Sequence, residues 1–226
     1  MNVLLFGATG MIGQGVLREC LLDPGVARVL AVGRTPPATG HAKLRALVHE
    51  DFLDYSAIAD DLTGFDACFF CLGVSSAGMS EADYRRVSHD IPLAAARVLA
   101  ARNAGMTFIF LSGMGADSTG HGRLMWARVK GQAENALLAL PFRAAYVFRP
   151  AFVQPMHGIR SKTRLYRAAY AIGAPLYPLW RRFLPKYVTT TEQVGRAMIV
   201  VARHGAPTRV LENADINAVA TPAGSS

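Results

Sequence analysis

The sequence predicts an α/β fold built on a doubly wound, mainly parallel sheet. Short apolar segments typical of buried strands alternate along the chain with amphipathic segments typical of helices. This alternation favours parallel pairing, with helices covering both faces of the sheet. The predicted strands are Asn2–Phe6, Arg28–Val32, Ala46–His49, Asp66–Leu72, Thr107–Leu111, Arg143–Phe148 and Arg209–Glu212. The clearest predicted helices are Met11–Leu22, Pro92–Ala104, Leu124–Leu140 and Glu192–Arg203, the last of them introduced by the capping run Thr189–Thr191.

A glycine turn between the first predicted strand and the first predicted helix is the most informative motif. Gly7 allows a tight turn, Gly10 lets a pyrophosphate approach the backbone, and Gly13 lets the helix lie close to the strand. Free N–H groups and the positive end of the helix dipole would face the phosphates. The motif therefore predicts a dinucleotide site, against the alternative of a purely structural turn. The residues expected to line it are Gly7, Thr9, Gly10, Met11, Ile12 and Gly13.

The composition predicts one compact domain over residues 1–219, followed by a disordered tail at Ala220–Ser226. Hydrophobic residues make up 51% of the 226 positions, which is enough for a sizeable core. No apolar run is long enough to span a bilayer, and the N-terminus lacks the features of a signal peptide. These observations lead us to expect a cytoplasmic protein.

The three cysteines do not predict a metal site or a disulfide. Cys68 and Cys71 are spaced as CxxC, but they lie within one apolar run of strand character. Residues three apart on a strand point to opposite faces of the sheet. We therefore expect all three cysteines, including Cys20, to be buried reduced thiols.

Two positions indicate how an adenosine would be bound. Arg34 follows the second predicted strand, where an acidic residue would favour NAD and an arginine suits the 2′-phosphate of NADP. The sequence thus favours NADP, although a solvated surface arginine is the alternative. Phe52 could lie against the adenine while Asp51 meets its amino group, but Asp51 could equally cap a turn.

The ends of the fourth and fifth predicted strands indicate a ligand pocket. Leu72 and Gly73 follow one strand and Ser112 follows the other, at the edge of the sheet where open α/β folds bind ligands. Further along the chain, Trp126 and Lys130 are four residues apart. If their segment is helical, they share one face of the helix.

A series of motifs resembles an atypical short-chain dehydrogenase/reductase, and within that superfamily the HIV Tat-interacting protein family of NADPH-binding proteins. The motifs occur in the family's order over nearly the whole chain. They are Gly7-x-x-Gly10-x-x-Gly13, Cys71-Leu72-Gly73, Leu111-Ser112-Gly113-Met114-Gly115-Ala116-Asp117, Val129-Lys130-Gly131-Gln132-Ala133-Glu134, Val147-Phe148-Arg149-Pro150 and Leu211-Glu212-Asn213.

This resemblance implies a Rossmann fold and roles for individual residues. Arg34 would bind the 2′-phosphate, and Lys130 would bind the nicotinamide ribose and lower the pKa of a neighbouring acid. In the family that acid is a tyrosine in a Tyr-x-x-x-Lys motif, but this chain has Trp126 there. An indole N–H has no usable acid–base chemistry, so the proton donor is missing. In the family a serine of a Ser-Ser pair also hydrogen-bonds the substrate carbonyl. The pair reads Ser112-Gly113 in this chain, so Ser112 either takes that catalytic role or lies one residue out of place.

Other residues could replace the missing donor, but each has a structural alternative as a surface or capping residue. The candidates on loops or helix starts near the predicted pocket are Ser75, Tyr84, Asp117 and His121.

Positive charge is concentrated in the C-terminal third of the chain. Lys and Arg total 24 against 16 Asp and Glu, and no carboxylate occurs from Asn135 to Thr191. The resemblance implies that residues 151–188 form a small substrate lobe, which would be basic and aromatic. Such a lobe suits an anionic or amphipathic small molecule, an acidic protein or anionic lipid head groups. A solvated basic face is the alternative, and nucleic acid is disfavoured because no known binding module accompanies the charge.

The sequence leaves three classes of function open. They are an NADP-dependent oxidoreductase or epimerase with an unusual proton donor, a cofactor-binding regulator, and a protein that associates with surfaces through the basic lobe. A titratable group beside the nicotinamide would favour the first class. A nicotinamide face blocked by Trp126 would favour the second, and an exposed apolar and basic patch would favour the third.

Overall fold

Parallel strands form the main sheet of the protein, for which a computed structural model describes residues 1–159 and 177–221. The strands are β1 (Asn2–Phe6), β2 (Arg28–Gly33), β3 (Leu44–Val48), β4 (Ala67–Phe70), β5 (Thr107–Leu111), β6 (Ala144–Arg149), β7 (Phe152–Gln154), β8 (Val188–Thr190) and β9 (Val210–Glu212). The main sheet has the order β3-β2-β1-β4-β5-β6-β9, and its neighbouring strands all pair in parallel. The predicted doubly wound fold is confirmed.

Helices connect these strands and cover both faces of the sheet. The α-helices are α1 (Met11–Leu22), α2 (Glu81–Arg85), α3 (Ile91–Arg102), α4 (Met125–Leu138), α5 (Tyr177–Phe183), α6 (Thr191–His204) and α7 (Asn213–Ala220). A π-helical segment, Arg86–Asp90, joins α2 to α3, and short 3₁₀ turns occupy Ser56–Ile58, Asp60–Leu62 and Pro185–Tyr187. The Thr190 side chain accepts a hydrogen bond from the Gln193 N–H at 3.0 Å, so the predicted capping run does start α6.

The alternation of side chains along each strand divides the core into two layers. Val3 and Leu5 of β1 pack on the side of α1 and α6, whereas Leu4 and Phe6 pack on the side of α3 and α4. Both layers are apolar because a parallel sheet is buried on both faces. Cys68 and Cys71 contact different layers, as their spacing predicted, and burial raises the pKa of each thiol above its ordinary value. Cys20 and Cys68 are buried as expected, whereas Cys71 is half-buried.

Several predicted boundaries require correction. β4 ends at Phe70, so Cys71 and Leu72 leave the strand and line a cavity at the edge of the sheet. The short strands β7 and β8 and the helices α2 and α7 were not predicted. Ala220 is the last residue of α7, so the predicted disordered tail does not begin there. The rest of that tail, 222–226, lies outside the described residues.

The predicted C-terminal lobe is described only in part. β7 and β8 pair in parallel, and the ring of Phe152 packs edge-to-face against Trp180 of α5, with centroids 5.3 Å apart. Residues 160–176 lie outside the described ranges, and with them Arg160, Lys162, Arg164, Tyr166, Arg167 and Tyr170. No helix in the described ranges combines the length and the apolarity that are needed to cross a bilayer.

Candidate functional site

The glycine turn after β1 has a backbone that only glycine can form. Gly7 has a φ of +80°, and its carbonyl accepts a hydrogen bond from the Gly10 N–H at 2.9 Å. A Cβ at Gly7 would lie 2.6 Å from the Leu72 nitrogen, and a Cβ at Gly13 would lie 2.0 Å from the Gly7 oxygen. The first turn of α1 is therefore held directly against β1 and the end of β4.

The start of α1 leaves N–H groups available to a ligand. Gly10 is the N-cap residue, and it has no side chain that could accept from the first turn of the helix. Gly73 has open space where its side chain would be. An anion can thus approach both backbones closely at this edge of the sheet.

A cavity of about 570 Å³ lies over the glycine turn and the end of β2. The predicted residues that line it are Gly7, Thr9, Gly10, Arg34, Phe52, Leu72 and Gly73. Arg34 is exposed, and it forms no ion pair with any described residue. Phe52 is 6% exposed, and it serves as a wall of the cavity, packed edge-to-face against Tyr55. Asp51 does not line this cavity. Its carboxylate accepts from the Leu53 N–H at 3.0 Å, so the turn-capping alternative describes its contact.

A second cavity, of about 740 Å³, continues along the same edge of the sheet. The two cavities share Gly10, Cys71, Leu72 and Gly73. The other predicted site residues that line the second cavity are Met11, Ile12, Ser112, Trp126 and Lys130. One continuous cleft therefore contacts every predicted site residue except Asp51 and Gly13.

Lys130 presents a buried amine to the second cavity. It is 9% exposed, and its Nζ donates to the Leu111 carbonyl at 3.3 Å and lies 4.8 Å from the centroid of the Phe110 ring. Burial lowers the pKa of Lys130 from 10.5 to about 8, against the opposing effect of the nearby Glu134 carboxylate. Lys130 can therefore gain or lose a proton not far from neutral pH.

Behind the cavity lies a buried ion pair that sequence reasoning did not single out. Glu134 is fully buried, and both of its carboxylate oxygens accept from Arg149, with Nε distances of 3.1 and 3.2 Å. Arg149 also donates to Ser118 Oγ at 2.6 Å and to Glu212 at 3.1 Å. The hydroxyl of Ser112 donates to the Glu134 carboxylate. These contacts join β5, α4, β6 and β9 directly behind the cleft.

Two signals in the sequence could have revealed this ion pair. Glu134 is four residues after Lys130 and thus lies on the same face of α4. Arg149 is a charged residue at the end of an otherwise apolar strand, where burial requires a partner.

The second cavity also distinguishes among the candidates for a replacement proton donor. Ser75 and Tyr84 line it, and Tyr84 is only 3% exposed. Asp117 and His121 do not line it. The Asp117 carboxylate accepts from the Thr119 hydroxyl at 2.6 Å and from the backbone N–H groups of Gly122 and Thr119, and these hydrogen bonds lower its pKa. Asp117 therefore organises its own loop.

Comparison with known proteins agrees with the geometry of the cleft. A family model described as NAD(P)H-binding matches residues 7–142, which is more than half of the chain. The match begins at the first glycine of the turn and ends after α4. It therefore covers the glycine turn, Arg34, Ser112, Trp126 and Lys130.

Curated relatives extend this similarity. The fungal "Protein fmp52, mitochondrial" of Aspergillus clavatus is 34% identical over 175 residues, which cover 74% of this chain and 72% of the relative. "Protein FMP52, mitochondrial" of Eremothecium gossypii is 27% identical over 220 residues, which cover 96% of each chain. These relatives are named as mitochondrial proteins, so the cytoplasmic location expected from the sequence is contradicted.

Solved structures with low sequence identity share the fold. MoeE5 in complex with UDP-glucose and NAD has a TM-score of 0.66 at 17% identity, and the match covers 93% of this chain and 74% of that chain. A short-chain dehydrogenase family protein from Francisella tularensis has a TM-score of 0.65 at 14% identity, with 90% and 91% covered. The chain therefore belongs to the NAD(P)H-binding family, and its fold is that of short-chain dehydrogenase and epimerase structures.

Proposed function

We propose that this protein is an NADP(H)-dependent oxidoreductase or epimerase that acts on a small or amphipathic carbonyl compound or its alcohol. The observation that carries the proposal is the continuous cleft, in which the glycine turn and Arg34 lie at one end and Lys130 and Ser112 at the other. A dinucleotide is a ligand of the right shape for such a cleft, since its two halves require different surroundings.

The residues of the first cavity fit a phosphorylated adenosine. The available N–H groups of α1 and the absence of side chains at Gly10 and Gly73 suit a pyrophosphate. Arg34 would form charge-assisted hydrogen bonds with a 2′-phosphate, and no carboxylate lines this cavity to hold a free ribose diol. This arrangement supports NADP over NAD.

The residues of the second cavity determine how protons move. A bound nicotinamide would supply or accept a hydride. Trp126 occupies the position of the family's tyrosine, and its indole cannot supply a proton at neutral pH. Lys130 would hold the nicotinamide ribose and, because its pKa is lowered to about 8, would also supply the proton to a developing alkoxide. We therefore expect slow carbonyl reduction in the wild-type protein.

Calorimetric titration with NADP⁺ and NAD⁺ tests the cofactor. We expect NADP⁺ to bind at least about tenfold more tightly, because a bidentate contact from Arg34 to a phosphate is a strong charge-assisted interaction. Arg34→Ala should remove most of this preference and leave the affinity for NAD⁺ nearly unchanged. Arg45→Ala is a matched control, because Arg45 is also exposed and pairs with Asp61 away from the cleft. Equal affinities in the wild type would overturn the assignment of NADP.

A second candidate function is that of a cofactor-binding regulator that associates with an anionic surface. Exposed apolar side chains lie at the end of α5 and just after it, with exposures of 67% for Phe183, 49% for Leu184 and 53% for Tyr187. Arg182 and Lys186 are exposed beside them. Cationic and apolar groups together favour an anionic bilayer surface.

Sedimentation with phosphatidylserine-containing vesicles tests this second candidate. We expect the bound fraction to fall several-fold between low and moderate salt, because exposed charges are screened over a Debye length of about 8 Å at physiological ionic strength. The double variant Arg182→Gln/Lys186→Gln should bind less than the wild type, whereas Arg102→Gln, on the remote helix α3, should not. If the wild type fails to bind at low salt, the surface function should be dropped.

A further inference from the structure

The hydroxyl of Ser112 cannot donate a hydrogen bond into the cleft while its present contacts hold. A serine hydroxyl has one proton, and that proton is donated to Glu134. Glu134 is fully buried and is paired with Arg149 through both carboxylate oxygens, so it accepts hydrogen bonds and has none to give. Ser112 therefore presents only its lone pairs to the cavity.

Lys130 presents the opposite polarity to the same cavity. An ammonium group has three N–H donors. The Leu111 carbonyl takes one of them at 3.3 Å, and Leu111 immediately precedes Ser112. Both Ser112 and Lys130 line the second cavity. The floor of this cavity thus combines an acceptor with a donor, and we name these two residues the Ser112–Lys130 pair.

We propose that the Ser112–Lys130 pair selects a ligand hydroxyl over a carbonyl. A hydroxyl can donate to Ser112 Oγ and accept from Lys130 Nζ, whereas a carbonyl oxygen only accepts and would meet the lone pairs of Ser112. Glu134 is then a positioning residue, because it fixes the direction of the Ser112 proton without contacting the ligand. The proposal rests on the proposed function in one respect, that the substrate occupies the second cavity.

Rotation of Ser112 toward a carbonyl would be unfavourable. It would break a charge-assisted hydrogen bond and leave a fully buried carboxylate with one partner fewer. A hydrogen bond to a charged group is worth roughly tenfold or more in an equilibrium constant. The second cavity therefore discriminates strongly against a ligand carbonyl, which has no proton to donate to Ser112.

Binding of cyclohexanol and cyclohexanone to the 226-residue chain without cofactor tests this selection. We expect the alcohol to bind at least about tenfold more tightly in titrations followed by ligand-observed NMR. Ser112→Ala should abolish the preference, and Ser112→Thr should retain it because it keeps the hydroxyl. Ser118→Ala is the matched control, since it removes a hydroxyl that contacts Arg149 but does not line the cavity.

The Glu134→Gln variant tests whether Glu134 orients the Ser112 hydroxyl, provided that the variant still folds. If the variant folds, the neutral amide is a weaker acceptor for the Ser112 hydroxyl and can also donate to its oxygen, so the preference for the alcohol should fall toward one. If the variant does not fold, the three serine variants decide the matter. Equal or tighter binding of the ketone by the wild type, failure of the alcohol to bind up to its solubility limit, or a preference that survives Ser112→Ala would each overturn the proposal. No cofactor is present, so a failure of NADP binding or of turnover would leave these results unaffected.

Discussion

The two halves of the cleft are built in different ways. The half at Gly7 and Gly13 is formed by backbone atoms. Its shape requires glycine, because a Cβ at either position would overlap neighbouring backbone atoms. The half at Ser112 and Lys130 depends on side chains that are present and on the hydrogen bonds that orient them. The first half is therefore set by the path of the backbone, which suits a phosphate group whatever side chains surround the turn. The second half is set by which side chains stand at its positions.

The two halves also differ in how they treat charge. In the first half, Arg34 is exposed and available to a ligand. In the second half, the buried Glu134 is neutralised by the partly buried Arg149 behind the cavity wall. The exposed charge of Arg34 can bind an anionic ligand directly. The ion pair of Glu134 and Arg149 acts on a ligand only through the side chains that it orients, such as Ser112. Substitutions in the two halves should consequently have different effects.

Gly13→Ala should have the largest effect on cofactor affinity, because it disrupts the backbone of the glycine turn. The added Cβ would lie 2.0 Å from the Gly7 oxygen, so α1 would have to move away from the turn. We expect a loss of about 1–3 kcal/mol in the free energy of unfolding, as for other overpacked sites. Calorimetry should show NADP⁺ affinity reduced by at least about a hundredfold, or roughly 3 kcal/mol. Gly105→Ala is the control, since Gly105 has open space around it. Unchanged cofactor affinity in Gly13→Ala would mean that the turn does not bind the phosphates.

Trp126→Tyr should have the next largest effect and tests the side-chain half. It would place a phenol four residues before Lys130, on the helix face that lines the second cavity. A general acid is typically worth about a hundred- to ten-thousand-fold in rate, so even a misaligned phenol should raise turnover about tenfold or more. NADPH consumption with reactive aldehydes measures this gain. Trp126→Phe should give no gain, and fast reduction by both the wild type and Trp126→Phe would show that the proton already comes from another residue.

The protonation of Lys130 should produce a smaller but diagnostic dependence on pH. If Lys130 supplies the proton, reduction should be constant at low pH and fall as pH rises through about 8. The lowered pKa also affects stability. Between about 8 and the ordinary value of 10.5, the unfolded chain keeps a proton that the folded chain has lost, so the free energy of unfolding should rise with pH. Denaturant titrations of the wild type and Lys130→Met check this, because the variant should lack the rise. A rise of the same size in Lys130→Met would assign it to other groups.

Asp51→Ala should have the smallest effect and sharpens the description of the adenosine end. The Asp51 carboxylate already accepts from the Leu53 N–H and does not line the cavity. NADP⁺ affinity should therefore change by less than about twofold, or roughly 0.4 kcal/mol. Phe52→Ala, which removes a wall of the same cavity, is the informative comparison. A large loss in Asp51→Ala would restore the predicted contact with the adenine.

The sequence was sufficient to predict the part of the molecule that depends on local patterns. Each predicted strand of the main sheet is present, because continuous apolar runs identify strands that are buried on both faces. The glycine turn was predictable because its three glycines are close in sequence and each answers a local steric requirement. The apolar strand and the helix on either side identified its context.

Features that depend on distant contacts could not be predicted in the same way. Ser112 and Glu134 are 22 positions apart, and nothing in either local pattern indicates that their side chains meet. The strands β7 and β8 contain only three residues each, which is too short for an alternating pattern to be recognised. Asp51 shows that one local pattern can support two interpretations, a ligand contact and a turn cap, and the structure shows the hydrogen bond of the turn cap.

The pairing of β7 with β8 has a consequence for how this protein can diversify. The two strands lie side by side, so the chain leaves this small sheet after Gln154 and re-enters it at Val188. Both ends of the connection between these strands are therefore held by one small sheet, and neither cavity draws a lining residue from 177–187. Variation in the length of this connection could therefore be tolerated during evolution while the glycine turn is inherited unchanged.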